Sequence, residues 1–178
     1  MDRMNFETKL CNYLDEYLLE RKMIDFHKPE CADVIDKFPK LLNSFISDAV
    51  KEFNNYPLAT LAWMTYIGMA ISKFWDTEWD IYNKVDDLYL YLRNKRGYDQ
   101  LDDYISEEVL CLNENEIISY RNLTMNMASG VYDILSHSGV EPGTRDAFIL
   151  LLACFRQMFY YGVYIELHRL GYHMTQVL

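Results

Sequence analysis

The side chains in this sequence that could do chemistry are few and scattered. The densest group runs from Trp75 to Asp80, where Asp76, Glu78 and Asp80 are interleaved with Trp75 and Trp79. On a continuous helix Asp76 and Asp80 stand one turn apart, as do the two tryptophans. Two carboxylates on one face can bind a cation or work as an acid and base pair. They can equally form a solvated helix start, because acidic side chains favour the positive end of the helix dipole while the tryptophans pack. The second reading is the expected one.

Arg156 and Glu166 interrupt an otherwise apolar stretch near the C-terminal end. Their spacing places them within about 80° of each other around a helix, but too far apart along it to pair. A buried charge without a partner is costly, so each needs one. Asp76, Glu78 and Asp80 are the candidates for Arg156. Arg169 and Arg145 are the candidates for Glu166. A structural ion pair is the expected role of Arg156, and recognition of a charged ligand is the competing one.

The histidines are His27, His137, His168 and His173. Asp133 and His137 are spaced to share a metal on a helix, but a single such pair is a weak signal. The doubled Glu-x-x-His of a di-iron bundle and the His-Glu-x-x-His of a zinc protease are both absent. So are Gly-rich phosphate loops and the Gly-x-Ser-x-Gly elbow. Cys11, Cys31, Cys111 and Cys154 show no paired spacing, which points to free thiols in a reducing compartment. No residue is singled out as catalytic, and no metal or cofactor is expected.

Tyrosine is the remaining signal, with 15 copies against 9 phenylalanines. Tyr66, Tyr160, Tyr161 and Tyr164 sit inside apolar segments, where a hydroxyl needs a hydrogen-bond partner. Core or interface positions account for them most simply. The alternative is a polar-lined pocket, and its ligand-binding set would be Trp63, Tyr66, Arg156 and Tyr160, with Asp76 and Asp80 at the mouth.

The elements that must hold these residues read as helices. Among 178 residues, 51% are hydrophobic, 25% are charged, and Gly and Pro number only 7 and 4. Few turn residues mean few, long elements. Phe6, Leu10, Tyr13, Leu14, Tyr17 and Ile24 mark a first helix ending at His27 to Pro29, with Pro29 opening a short second one. Pro39 opens an amphipathic helix with Leu41, Phe45, Ala49 and Phe53 on its apolar side.

From Pro57 to Arg96 no strong breaker occurs. Unbroken, that stretch would span about 60 Å, so a stop capped by Asp76 or Thr77 is expected, with Gly97 as the final cap. A weaker acidic helical stretch follows from Tyr98 to Cys111. Asn113 with Glu116 has capping-box spacing for the next helix, which stops at Gly139. Glu141, Pro142 and Gly143 form a turn, and Thr144 caps a last helix running to about Gly171.

The fold class expected is all-α: one domain, a bundle of about six helices, with the largely apolar helices that begin at Pro57 and Thr144 at its centre. Gly68 and Gly162 fall in the middle of those two helices. Glycine there costs about 1 kcal/mol against alanine, so a close crossing is inferred.

The net charge of -10 disfavours nucleic acid as a partner. The short run Arg93 to Arg96 reads as a helix C-terminus rather than a phosphate contact. Charges throughout Met1 to Arg21 speak against a signal peptide. Tyr56 to Ser72, the nearest thing to a membrane span, is barely long enough and contains Thr60, Thr65 and Gly68, so membrane insertion is not expected.

These readings converge on a cytoplasmic, acidic, non-enzymatic protein-interaction module, homodimeric and able to bind a basic protein partner. The alternative is a small-molecule-binding or hydrolase-like enzyme with its pocket between the helices at 57–75 and 145–170. An enzyme requires a deep cavity with convergent polar groups. An interaction module requires a filled interior and an exposed docking face.

Overall fold

The computed structural model describes residues 2–173. Those residues form an all-α fold with no strand among them. The elements in chain order are α1 (Arg3–Glu20), α2 (Ala32–Ile35), α3 (Phe38–Glu52), α4 (Pro57–Thr77), α5 (Trp79–Lys84) and α6 (Leu88–Arg96). A 3-10 turn (Tyr98–Gln100), α7 (Leu101–Tyr104) and a π-helical turn (Ile105–Val109) lead into α8 (Glu114–Ser136) and α9 (Arg145–Arg169).

The centre is the α4–α9 pair. A helix apolar on nearly every side must be covered on every side. Thr60 to Ser72 of α4 is buried apart from Trp63, and α9 is buried over most of its length from Leu150 to Leu167. The two helices run in the same direction. Thr65 lies beside Met158 and Gly162, and Gly68 beside Phe159 and Val163.

The inferred close crossing is present. A Cβ on Gly68 would overlap the Phe159 carbonyl oxygen and stand 3.1 Å from the Val163 nitrogen. A Cβ on Gly162 would overlap the Thr65 carbonyl. α9 also passes the length and composition test for a membrane span, which the sequence reading had placed nearest at Tyr56 to Ser72. Of its most apolar 18-residue stretch, 61% is covered by the rest of the chain.

α1, α3 and α8 shield this pair. Leu10, Leu14 and Leu18 of α1, Phe45 of α3 and Met127 and Val131 of α8 join one core cluster with α4 and α9. Phe45 stands edge-on to Phe155 at 5.4 Å between ring centroids.

The ends of the long helices follow their local chemistry. Asn113 and Glu116 form the full reciprocal capping box at 2.9 and 3.1 Å. Thr144 accepts from the Ala147 amide at 3.2 Å. Pro39 lies in the first turn of α3, and Gly97 ends α6 with φ +90°. Replacing Asn113 with alanine strands one of those amide donors. The expected cost is about 1 kcal/mol, read as a lower urea midpoint at unchanged slope.

Three boundaries differ from the sequence reading. α1 stops at Glu20, well before Pro29, because Lys22 adopts the left-handed conformation with φ +57°. The Lys22 and Met23 amides then return to the Leu19 and Leu18 carbonyls at 3.0 and 2.9 Å, a Schellman ending built without glycine. α2 begins after Cys31 rather than at Pro29. The intervening Lys28 is tied back to Asp15 at 2.6 Å.

The stretch after α4 does stop near Thr77, but at Glu78, and no side chain caps α5. It stops again at Val85, and there Asp87 caps α6 by accepting from the Leu90 amide at 3.0 Å.

Candidate functional site

The Gly68–Gly162 crossing decides where a site can lie. α4 and α9 meet backbone to backbone there, which leaves no room for a ligand at the crossing itself. Of the six residues of that expected set, Trp63 and Tyr66 meet, and the other four are partnered elsewhere. Trp63 donates its indole N–H to the Tyr98 carbonyl at 2.8 Å, and Tyr66 lies beside it, buried against Thr124 of α8.

Arg156 faces α1 and pairs with Glu7, not with Asp76, Glu78 or Asp80. Its half of α9 runs beside the start of α1, whereas those carboxylates lie at the far end of α4. Tyr160 packs against Phe38 of α3. Asp76 and Asp80 do not share a helix face, because the backbone leaves helical geometry at Glu78 between them. Asp76 accepts from the Tyr172 hydroxyl at 2.6 Å, and Asp80 pairs with Lys84 at 3.2 Å in solvent.

The other charged candidates are absorbed into structure. Glu166, with a fully buried side chain, accepts both arms of Arg169 at 2.7 and 2.9 Å. Burial pushes its carboxyl up against the opposing pull of Arg169. Arg93 pairs with Asp48, Arg96 with Glu107 and Glu108, and Lys95 lies over the Tyr91 ring, so Arg93 to Arg96 serves the fold. Asp133 and His137 meet at 3.3 Å, both well exposed. Cys11, Cys31, Cys111 and Cys154 are free thiols. Burial, and then the hydrogen bond that Tyr161 donates to Asp15 at 2.6 Å, push the Tyr161 hydroxyl well above its ordinary pKa.

Two features remain. The larger is an open groove of about 690 Å³ between α1 and α8. Tyr13 and Tyr17 form one wall, Asn126, Ser129 and Tyr132 the other, and Asp133 and His137 the rim. Gly130 shapes its floor: Tyr13 lies directly over it and donates to the Asn126 carbonyl at 2.9 Å. Tyr13 and Tyr17 stack at 6.0 Å, and the Arg21 guanidinium covers Tyr17 at 3.7 Å. The period-3.6 pattern had placed Tyr13 and Tyr17 on the apolar side of α1. They lie at its edge, half-buried, which is where an amphipathic ring belongs.

The second feature joins residues that are distant in sequence. Asp25 follows α1, His168 lies in the last turn of α9, and His173 lies just beyond it. One donor atom from each falls within 4.8 Å of the other two. Asp25 contacts His168 Nε2 at 3.4 Å and His173 Nδ1 at 2.6 Å. The hydrogen bond from His173 holds the Asp25 carboxyl below its ordinary value. The turn after α9 brings His168 and His173 together, and the packing of α1 against α9 adds Asp25, which no local spacing announces. The chain matches no protein-family model, no curated protein and no solved structure.

Proposed function

We propose that this chain is a non-enzymatic protein-interaction module, and that the groove between α1 and α8 is its docking surface for a basic segment of a partner protein. The observation that carries the reading is the contrast between interior and surface. The central helices touch at their backbones, while the groove between α1 and α8 is open and lined by tyrosine, asparagine and serine. Tyrosine gives large contact area at low conformational cost, and it is enriched where proteins dock. The net charge of -10 and the Asp133 rim favour a cationic occupant, through both affinity and encounter rate.

The test is peptide display against the folded chain, followed by binding of the enriched peptides to the Tyr17→Ala/Tyr132→Ala double variant. Both rings are partly exposed, so the fold is expected to survive. Peptides rich in Lys and Arg with an aromatic or aliphatic anchor should emerge, weaken as salt rises, and lose at least tenfold in affinity on the variant (about 1.4 kcal/mol). Enrichment without charge preference, or binding indifferent to the two rings, would remove the reading. Sedimentation decides the competing occupant, a second copy: a dimer that the same variant converts to monomer would assign the groove to self-association instead.

A further inference from the structure

We propose that Asp25, His168 and His173 bind a divalent transition-metal ion of the zinc class. Two imidazoles and one carboxylate make a common three-ligand set for such an ion, with a fourth position left to water. The three donor atoms lie within 4.8 Å of one another, and one edge of the site already fits the ion. Bonds of about 2.0–2.1 Å in a tetrahedral arrangement put neighbouring ligand atoms about 3.3 Å apart. Asp25 Oδ1 and His168 Nε2 are already 3.4 Å apart. Asp25 Oδ2 and His173 Nδ1, at 2.6 Å, form a direct hydrogen bond. Ion entry replaces that bond: Nδ1 turns its lone pair to the ion, the ring proton resides on Nε2, and the carboxylate binds through Oδ1 or through both oxygens.

The ligands are held before any ion arrives. His168 is fixed by the last turn of α9, and its carbonyl accepts the Gly171 amide at 3.0 Å. Gly171, at φ +92°, turns the chain so that the Tyr172 amide returns to the Leu167 carbonyl at 2.9 Å. Tyr172 is then gripped twice, by its ring against Trp75 at 5.4 Å and by its hydroxyl on Asp76. His173 follows directly and is delivered to Asp25. On the other side, Ile24 is buried in the core immediately before Asp25. Among the described residues, the groups paired with the Asp25 carboxylate are these two imidazoles, and no lysine or arginine competes for it. A bound ion would clip the segment after α9 to the connection after α1. The site shares no residue with the groove, so each proposal can fail without the other.

The experiment is calorimetric titration of zinc chloride into the 178-residue chain after chelator treatment, paired with the visible spectrum of the cobalt-loaded protein. One ion per chain is expected, with the intense cobalt bands of a tetrahedral site. His168→Gln, His173→Gln and Asp25→Asn should each weaken zinc by roughly tenfold or more, while His137→Gln leaves it unchanged. Zinc should raise the melting temperature of the parent chain but not that of His173→Gln. His173 lies beyond α9 and is half-exposed, so this variant keeps its fold. Absence of saturable binding, or binding that survives the His168→Gln/His173→Gln double variant, would reduce the cluster to an Asp–His hydrogen-bond network and overturn the proposal.

Discussion

Gly162→Ala should melt roughly 6 °C below the parent chain, although alanine is the better helix former. The intrinsic preference alone would stabilise α9 by about 1 kcal/mol. The opposing effect is steric and larger. The added methyl would occupy the same space as the Thr65 carbonyl oxygen and lie 3.0 Å from Thr65 Cα. Neither atom can rotate away, as the end of a flexible side chain could. The helices must therefore move apart along a crossing that organises the whole core.

Overpacking of this kind costs about 3 kcal/mol, so the net loss is about 2 kcal/mol, which for a chain of this size corresponds to roughly 6 °C in Tm. Gly68→Ala should behave alike, since its methyl meets the Phe159 carbonyl. Ser119→Ala, at an exposed position of α8, supplies the control with no such neighbour. Differential scanning calorimetry on the three variants checks the expectation. A Gly162→Ala curve superimposable on the control would mean that the crossing is looser than its geometry states.

Arg169→Met should be at least as damaging, and its cost should depend on pH in an unusual direction. Glu166 is fully buried, and Arg169 is its bidentate partner. Removing the partner leaves a buried carboxylate uncompensated, which costs about 3–5 kcal/mol. Lys73 offers some relief from α4, and Asp76 opposes it.

The carboxyl of Glu166 already titrates above its ordinary value because burial outweighs its partner, and loss of Arg169 raises it further. A group whose folded pKa exceeds its unfolded value binds more proton in the native state. The stability it confers is therefore complete below the unfolded value and is lost as pH rises through the folded one. The deficit of Arg169→Met relative to the parent should accordingly be greatest near pH 8 and shrink toward about pH 5. Thermal melts across that range check it. A deficit that grows on acidification would show that Glu166 is not the group responsible.

Features set by neighbours in the chain were legible before the fold. The capping box at Asn113, the Thr144 cap, the Gly97 ending and the burial of α4 and α9 all follow from residues within a few positions of one another. The close crossing at Gly68 and Gly162 was legible too, because a glycine in mid-helix has an identifiable cost and therefore an identifiable reason.

What escaped has one of two physical causes. The early end of α1 rests on a lysine taking the left-handed conformation, a place where glycine is the ordinary signal. The partner of Arg156, the groove and the Asp25–His168–His173 cluster all depend on how α1 lies against α8 and α9. The pattern of α1 says which residues face inward, but not which helix they face. Asp76 and Asp80 failed as a pair for a local reason. Their spacing implies a shared face only if the helix is continuous, and Glu78 breaks it.

The parallel course of α4 and α9 has a consequence for how the molecule comes into being. Two helices joined by a short loop run in opposite directions, so a central pair that runs the same way cannot close locally. Thr65 finds Met158 across 93 positions of chain. On a ribosome, α4 is complete long before its companion exists. Its greasy surface must wait, sheltered first by α3 and later by α8, until α9 has been made. Such a topology favours slow, late consolidation over early collapse around a finished nucleus. The interval before α9 emerges is the period in the life of this chain when it most needs a chaperone.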